Sequence, residues 1–203
     1  MWPTLLGDAR LYVLFLRIDE HLATEAGADA CSRCGGPLHV GNYGRKPRGK
    51  SLPEDLAEAY ATRFSFCCGD CRRRTTPPSV RFLGRRVYLA AVVTLATAMR
   101  HGVTATRARK LGALIHVPRR TLARWRTWWQ EIFPQTHVWK TLCGVLSPPP
   151  ASSDLPLGML ERMQGANSLE RLARVLWQLG PLTTGTCAQI ADISRVMEST
   201  QKM

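Results

Sequence analysis

Cys31-Ser32-Arg33-Cys34-Gly35-Gly36 and Cys67-Cys68-Gly69-Asp70-Cys71-Arg72-Arg73-Arg74 are the two stretches whose reading decides the fold. Each holds a pair of cysteines separated by two residues, a spacing that lets one tight turn present both sulfurs to a single tetrahedral ion. Glycine after or between the cysteines frees backbone N–H groups to approach the thiolates and soften their concentrated negative charge. Together the turns make a four-sulfur site from Cys31, Cys34, Cys71 and either Cys67 or Cys68, with Cys68 favoured. The metal expected is Zn2+, and four cysteines leave no position for water, so its expected role is structural. A redox pair would open a helix in a βαβ unit, a setting absent here. His39 is an alternative ligand, but as a lone histidine near a strand-like piece it reads as surface. Seven cysteines, an odd number, fit thiols kept reduced in a cytosol better than a disulfide framework.

Outward from these turns, residues 31–86 have the texture of a small metal-stapled module. Short strand-like pieces at 37–40 and 63–67 flank a basic loop over 41–50 that carries Arg45, Lys46, Arg48 and Lys50. The interval between Cys34 and Cys68 is longer than the commonest zinc-ribbon spacing. Ahead of the module, residues 8–26 place Leu11, Leu14, Phe15, Ile18 and Leu22 three and four apart, the period of an amphipathic helix. Behind it, residues 87–133 are helical by period and propensity. Their apolar run 88–99 reads as a buried helix, because it falls well short of the roughly 18 residues that cross a bilayer. The apolar run 11–16 is short, is bracketed by Arg10 and Arg17 and is followed by no small-residue cleavage site, so no signal peptide is expected.

Ser147-Pro148-Pro149-Pro150-Ala151-Ser152-Ser153 cannot continue a helix and reads as an extended spacer. Beyond it, Asn167 with Glu170 three positions later resembles a capping box, and Cys187, Ile190, Ile193 and Met197 suggest a last helix. Met159, Leu160, Met163, Val175, Trp177 and Leu179 exceed what a short hairpin hides. This tail is therefore expected to pack on the N-terminal helix or on another subunit. Cys143 and Cys187 read as core residues. The expected fold is mainly α with a small β zinc ribbon. It comprises an N-terminal helix (1–30), a zinc-ribbon module (31–86), a helix-turn-helix bundle (87–146), a proline-rich linker (147–153) and a C-terminal helical hairpin (154–203).

Charge supplies the functional signal. The 203 residues carry 28 Lys and Arg against 15 Asp and Glu, and residues 71–130 contain no acid at all. Across that stretch lie Arg72, Arg73, Arg74, Arg81, Arg85, Arg86, Arg100, Arg107, Arg109, Lys110, Arg119, Arg120, Arg124 and Arg126. Unopposed guanidinium groups repel one another, and a polyanion relieves that repulsion. A hydrophobic content of 45% supports a core, so disorder throughout is excluded.

A second signal lies in residues 104–125. Gly112, His116, Leu122 and Trp125 have the spacing of a helix-turn-helix, with Val117 at the apolar turn position and Pro118 suited to the first helical residue. His116 stands where glycine is usual, and histidine tolerates a left-handed backbone better than most residues. On that helix Leu122, Trp125 and Trp129 form an inward stripe, while Arg119, Arg120, Arg124 and Arg126 mostly project away toward a major groove.

These pieces resemble the DNA-binding part of bacterial insertion-sequence transposases and related mobile-element proteins, in which a zinc ribbon precedes a helix-turn-helix. The resemblance rests on Cys31-x-x-Cys34-Gly35-Gly36, on the run from Cys68 through Arg85 and Arg86, and on Arg119-Arg120-Thr121-Leu122-Ala123-Arg124-Trp125; it covers about residues 31–133. It implies a cytoplasmic, nucleoid-associated protein that binds duplex DNA beside a separate catalytic transposase or a second copy of itself. Catalysis is not carried across, because the carboxylate triad of such enzymes has no counterpart among Glu131, Asp154, Glu161, Glu170, Asp192 and Glu198. The expected DNA contacts are Arg45, Lys46, Arg48, Arg72, Arg73, Arg74, Arg85, Arg86, Arg119, Arg120, Thr121, Arg124 and Arg126. The competing expectation is an RNA- or protein-interaction scaffold; aromatics exposed on a sheet would favour RNA, but Phe64, Phe66 and Phe82 are few and read as buried.

Overall fold

A computed structural model describes residues 2–49, 52–83, 88–98, 115 and 117–184. The fold is mainly helical with a small antiparallel sheet. After a short helix α1 (Trp2–Leu5), the long helix α2 (Ala9–Ala28) starts at Asp8, whose carboxylate accepts the Arg10 N–H at 3.0 Å and so caps the first turn. Its buried stripe is Leu11, Leu14, Phe15, Ile18 and Leu22, as the spacing predicts, with Tyr12 and Asp19 added.

The chain then builds one long bent antiparallel hairpin. One arm is β1 (Leu38–Val40) and β2 (Tyr43–Gly44); the other is β3 (Thr62–Arg63) and β4 (Phe66–Cys68), and β5 (Arg74–Thr75) adds to β4. The register pairs Leu38 with Cys68, Val40 with Phe66, and Tyr43 with Arg63. At the bend Asn42 Oδ1 accepts the Ser65 N–H at 3.0 Å, replacing a lost ladder bond. A seven-residue helix, α3 (Glu54–Tyr60), sits at the hairpin tip. This insertion accounts for the long interval between the cysteine pairs.

Two close approaches dock the hairpin on the helices. The Phe66 ring lies where a Cβ on Gly27 of α2 would fall, at 2.8 Å. Gly49 takes φ +109° and brings its backbone against Val92, at a position where a side chain would be both strained and crowded.

Val92 belongs to α4 (Ala90–Ala98), whose only polar side chains are Thr94 and Thr97 and which is buried at each of its residues, as expected of the 88–99 run. Against it pack α5 (Arg119–Thr127), α7 (Leu157–Arg162) and α8 (Ser168–Gln178), while a π-helical turn (Trp128–Ile132) continues α5 and leads through a 3-10 turn (Phe133–Gln135) to α6 (His137–Val145). Asn167 Oδ1 accepts the Glu170 N–H at 2.9 Å, and Glu170 Oε2 returns a bond to the Ala166 N–H at 2.8 Å, one residue before the reciprocal partner expected.

Residues on both sides of the proline-rich stretch share one hydrophobic cluster. Pro150 is itself buried, and its ring stands where a Cβ on Gly158 would be. The six apolar tail residues from Met159 to Leu179 are all buried, with α8 lying against α1 and α4. The expected last helix around Cys187 to Met197 lies outside the described residues.

One ion pair sits in this core. Arg81 is 1% exposed, and its Nε donates to Asp19 Oδ2 at 2.7 Å. Asp19 also accepts from the Val80 N–H at 2.7 Å and from the Ser79 hydroxyl, while Arg81 donates to the Ala59 and Thr62 carbonyls. The expectation that the acid-free stretch is uniformly unopposed is therefore corrected at Arg81, which an acid 62 residues upstream neutralises inside the protein. Removing one partner of such a pair costs about 3–5 kcal/mol, because the other charge is stranded in the core.

Candidate metal centre

Strand alternation settles which of the adjacent cysteines joins the cluster. On β4, Phe66 and Cys68 face one side and Cys67 the other, since neighbouring residues of a strand point to opposite faces. The sulfurs of Cys31, Cys34, Cys68 and Cys71 all lie within 4.8 Å of one another. Cys31 Sγ is 3.6 Å from Cys71 Sγ, and Cys34 Sγ is 3.5 Å from Cys68 Sγ. Cys67 Sγ turns away to the Arg72 carbonyl at 3.5 Å. His39 is exposed on β1, opposite Cys67 and outside the cluster. Cys143 is half-buried on α6.

The two turns that hold the sulfurs share a backbone design. The Cys31 N–H donates to the Gly36 carbonyl at 2.9 Å, and the Cys68 N–H to the Arg73 carbonyl at 2.9 Å, the same five-residue span. The residue after the second cysteine is left-handed in both, Gly35 at φ +73° and Arg72 at φ +58°. Gly36 is required by space, because a Cβ there would fall 2.2 Å from an Asp70 carboxylate oxygen and 3.1 Å from Cys68 Sγ.

Cys31 and Cys34, three residues apart in one turn, do not ionise alike. Backbone N–H groups of Arg33 and Cys34 bring the Cys31 thiol down to about 6. At Cys34 the Gly36 N–H also favours the thiolate, but the neighbouring sulfurs of Cys68 and Cys71 and burial outweigh it and push the group up to about 12. Cys31 thus takes a negative charge readily, while Cys34 resists one because of its sulfur neighbours. A cation among the sulfurs removes that repulsion, and this ligand set could hold one metal ion.

The cationic residues divide by position. Arg72, Arg73 and Arg74 are exposed beside the second turn, as are Lys46 and Arg48 on the basic loop, with Arg45 half-buried. Arg48 is tied by its backbone to the residue before α4, its carbonyl accepting the Leu89 N–H at 3.1 Å. On α5, Arg120 and Arg124 are exposed, while Arg126 is half-buried with its Nε donating to Gln130 Oε1 at 3.3 Å.

Thr121, expected among the outward contacts, is only 5% exposed and accepts a bond from Arg124 Nη2, so it lies with the inward set. Leu122 and Trp125 are half-buried and Trp129 fully buried, with the Trp125 ring edge-on to Tyr88 at 4.9 Å. Pro118 precedes α5 as its cap rather than opening it, and its carbonyl accepts from the Thr121 and Leu122 N–H groups. Arg85, Arg86, Lys50, Gly112 and His116 lie outside the described residues, as does the first helix expected of the helix-turn-helix. Sequence reasoning missed Tyr43, whose ring meets Arg45 and Arg74, and Arg63, buried opposite it in the strand register. Among the described residues no helix is long and apolar enough to cross a membrane. No family model, curated protein or solved structure matches this chain.

Proposed function

We propose that the protein is a zinc-stabilised, DNA-binding protein of a bacterial mobile element, an accessory subunit or regulator without a catalytic site of its own. One observation carries this reading: four cysteine sulfurs converge at the root of a hairpin whose adjoining turn and loop expose Arg72, Arg73, Arg74, Lys46 and Arg48.

Zinc fits the ligand set. A tetrahedron with zinc–sulfur bonds of about 2.3 Å has sulfur–sulfur edges of about 3.8 Å. The separations of 3.5 and 3.6 Å need a small outward movement to match, and the others, all within 4.8 Å, an adjustment of at most about 1 Å. When bound, zinc would act as a cross-link. Cys31 and Cys34 hold the start of the hairpin, Cys68 and Cys71 its end, so the cationic turn between β4 and β5 becomes rigid.

Rigid guanidinium groups grip phosphates at little cost in side-chain entropy. The helix Arg119–Thr127, stacked on the buried Ala90–Ala98 helix, would present Arg120 and Arg124 to a groove while the ribbon clamps the backbone.

Selection of bound sequences from a random duplex pool, run with zinc-loaded and chelated protein, tests the reading. Enrichment of a common site by the loaded protein alone is expected. Preference for structured RNA over duplex in a direct competition would instead favour the scaffold reading.

A further inference from the structure

Two arginines flank the ring of Tyr43 on β2, and a third pairs with it across the strands. The guanidinium carbons of Arg45 and Arg74 each lie 5.3 Å from the centroid of the Tyr43 ring, within cation–π reach. Arg45 Nη2 donates to the Tyr43 hydroxyl at 3.2 Å. Arg74 Nη1 donates to the Gly41 carbonyl and to Ser65 Oγ, which fixes the group beside β4. Arg63, opposite Tyr43 in the strand register, is 2% exposed. Its Nη2 bonds the Pro77 carbonyl, but its Nη1 is buried with no partner.

A buried cation whose donor lacks an acceptor is costly, by about 1–3 kcal/mol or more, unless something nearby uses its field. Asp19, whose charge reaches Arg63, is engaged by Arg81, Ser79 and Val80. Arg45, tied to the Tyr43 hydroxyl, and Arg74, tied to Gly41 and Ser65, are held on the same tyrosine, and Arg45 stands within electrostatic reach of the desolvated Arg63 charge, where an anion at the surface is attracted more strongly than by solvated side chains.

We propose that Tyr43, Arg45 and Arg74 form a clamp for a single phosphate group, with Arg63 as the charge behind it, and that its occupant is a backbone phosphodiester of the bound DNA. The identity of the occupant rests on the DNA-binding reading. A polyanion fits better than a small anion, because the clamp continues along the chain into exposed Lys46 and Arg48 on one side and Arg72 and Arg73 on the other.

The test uses the full chain loaded with zinc, in two arms. In the first, inorganic phosphate is titrated while the arginine Nε–Hε resonances are followed. Saturable shifts at Arg45 and Arg74 are expected, weakened about tenfold or more in Arg45→Gln, which removes a charged donor. Absence of shifts at both residues overturns the clamp.

In the second arm, duplex affinity is measured against salt for the wild type, Arg45→Gln, Arg74→Gln, the double variant, and Lys140→Gln as an exposed control on another helix. Each neutralised phosphate contributes about 0.9 to the slope. Two arginines on one phosphate predict a loss of about 0.9 in the double variant, with Lys140→Gln unchanged. A loss of about 1.8 means two separate phosphates, and no loss means none; either result overturns the proposal. Arg45→Gln, which leaves the Arg74 bonds to Gly41 and Ser65 intact, keeps the test valid if the double variant unfolds. Wild-type protein that shows the phosphate shifts but no duplex binding would overturn the DNA reading and the phosphodiester occupant while upholding the clamp.

Discussion

Residues 31–36 and 68–73 are one turn built twice, and they differ where the chemistry of the backbone is least forgiving. Both close a bond from the first cysteine N–H to a carbonyl five residues on, and both need a left-handed residue after the second cysteine. The first turn fills that place with Gly35, which has no Cβ to clash. The second fills it with Arg72, at a cost of about 1–2 kcal/mol for an L side chain. A cation kept at a strained position beside the sulfurs argues that its side chain has work outside the fold. The first turn is thus shaped for geometry, and the second combines geometry with charge.

The largest expected effect separates the adjacent cysteines of the second turn. Cys68→Ser removes a ligand from a site whose metal binding is worth on the order of 10 kcal/mol, so metal content after dialysis falls well below one ion per chain and the hairpin unfolds. Cys67→Ser, which changes a sulfur outside the cluster, retains one ion.

Next comes the joint that seats the hairpin on α2. Asp19→Asn strands the Arg81 charge and costs about 3–5 kcal/mol in denaturant unfolding. A loss below about 1 kcal/mol, the range of a surface ion pair, would show that the pair is not buried.

The thiols predict a pH dependence with a definite sign. The Cys31 thiol is depressed from 9.0 to about 6, so its thiolate stabilises the metal-free fold fully above pH 9 and that contribution is lost as pH falls through about 6. At pH 7 Cys31 has already lost its proton, and at pH 5 it has not. Zinc titrated into metal-free protein therefore releases about one more proton at pH 5 than at pH 7, read by calorimetry in buffers of different ionisation enthalpy.

The smallest effects test the comparison itself. Gly35→Ala places a Cβ in open space but at φ +73°, so it destabilises by about 1 kcal/mol through backbone strain. Arg72→Gly relieves the same strain and stabilises by about 0.5–1 kcal/mol, while duplex affinity falls. If Arg72→Gly lost neither affinity nor salt dependence, the second turn would be no more than a copy of the first.

Much of this architecture was legible in residue order because it is local. The α2 stripe, the Asn167 cap and the paired Cys-x-x-Cys spacings each depend on neighbours within a few positions. The Asp19–Arg81 pair was not, since an acid-free run describes the chain and not the space around it. The helix Glu54–Tyr60 escaped notice because it is seven residues long; its only cues are acidic Glu54 and Asp55 after Pro53 and the apolar pair Leu56 and Tyr60 one turn apart. Thr121 was read as outward from its place among arginines, yet the helix rotates it toward the core. Cys68 could be favoured but not fixed until the pairing of β4 with β1 set which face it occupies.

Duplex affinity measured across a salt series, for zinc-loaded and for chelated protein, tests the central claim most directly. The account predicts a steep decline of affinity with salt for the loaded protein, about 0.9 in the logarithmic slope per phosphate contacted, and a collapse of both affinity and slope on chelation. Affinity that ignores salt, or that survives removal of the metal unchanged, would contradict it.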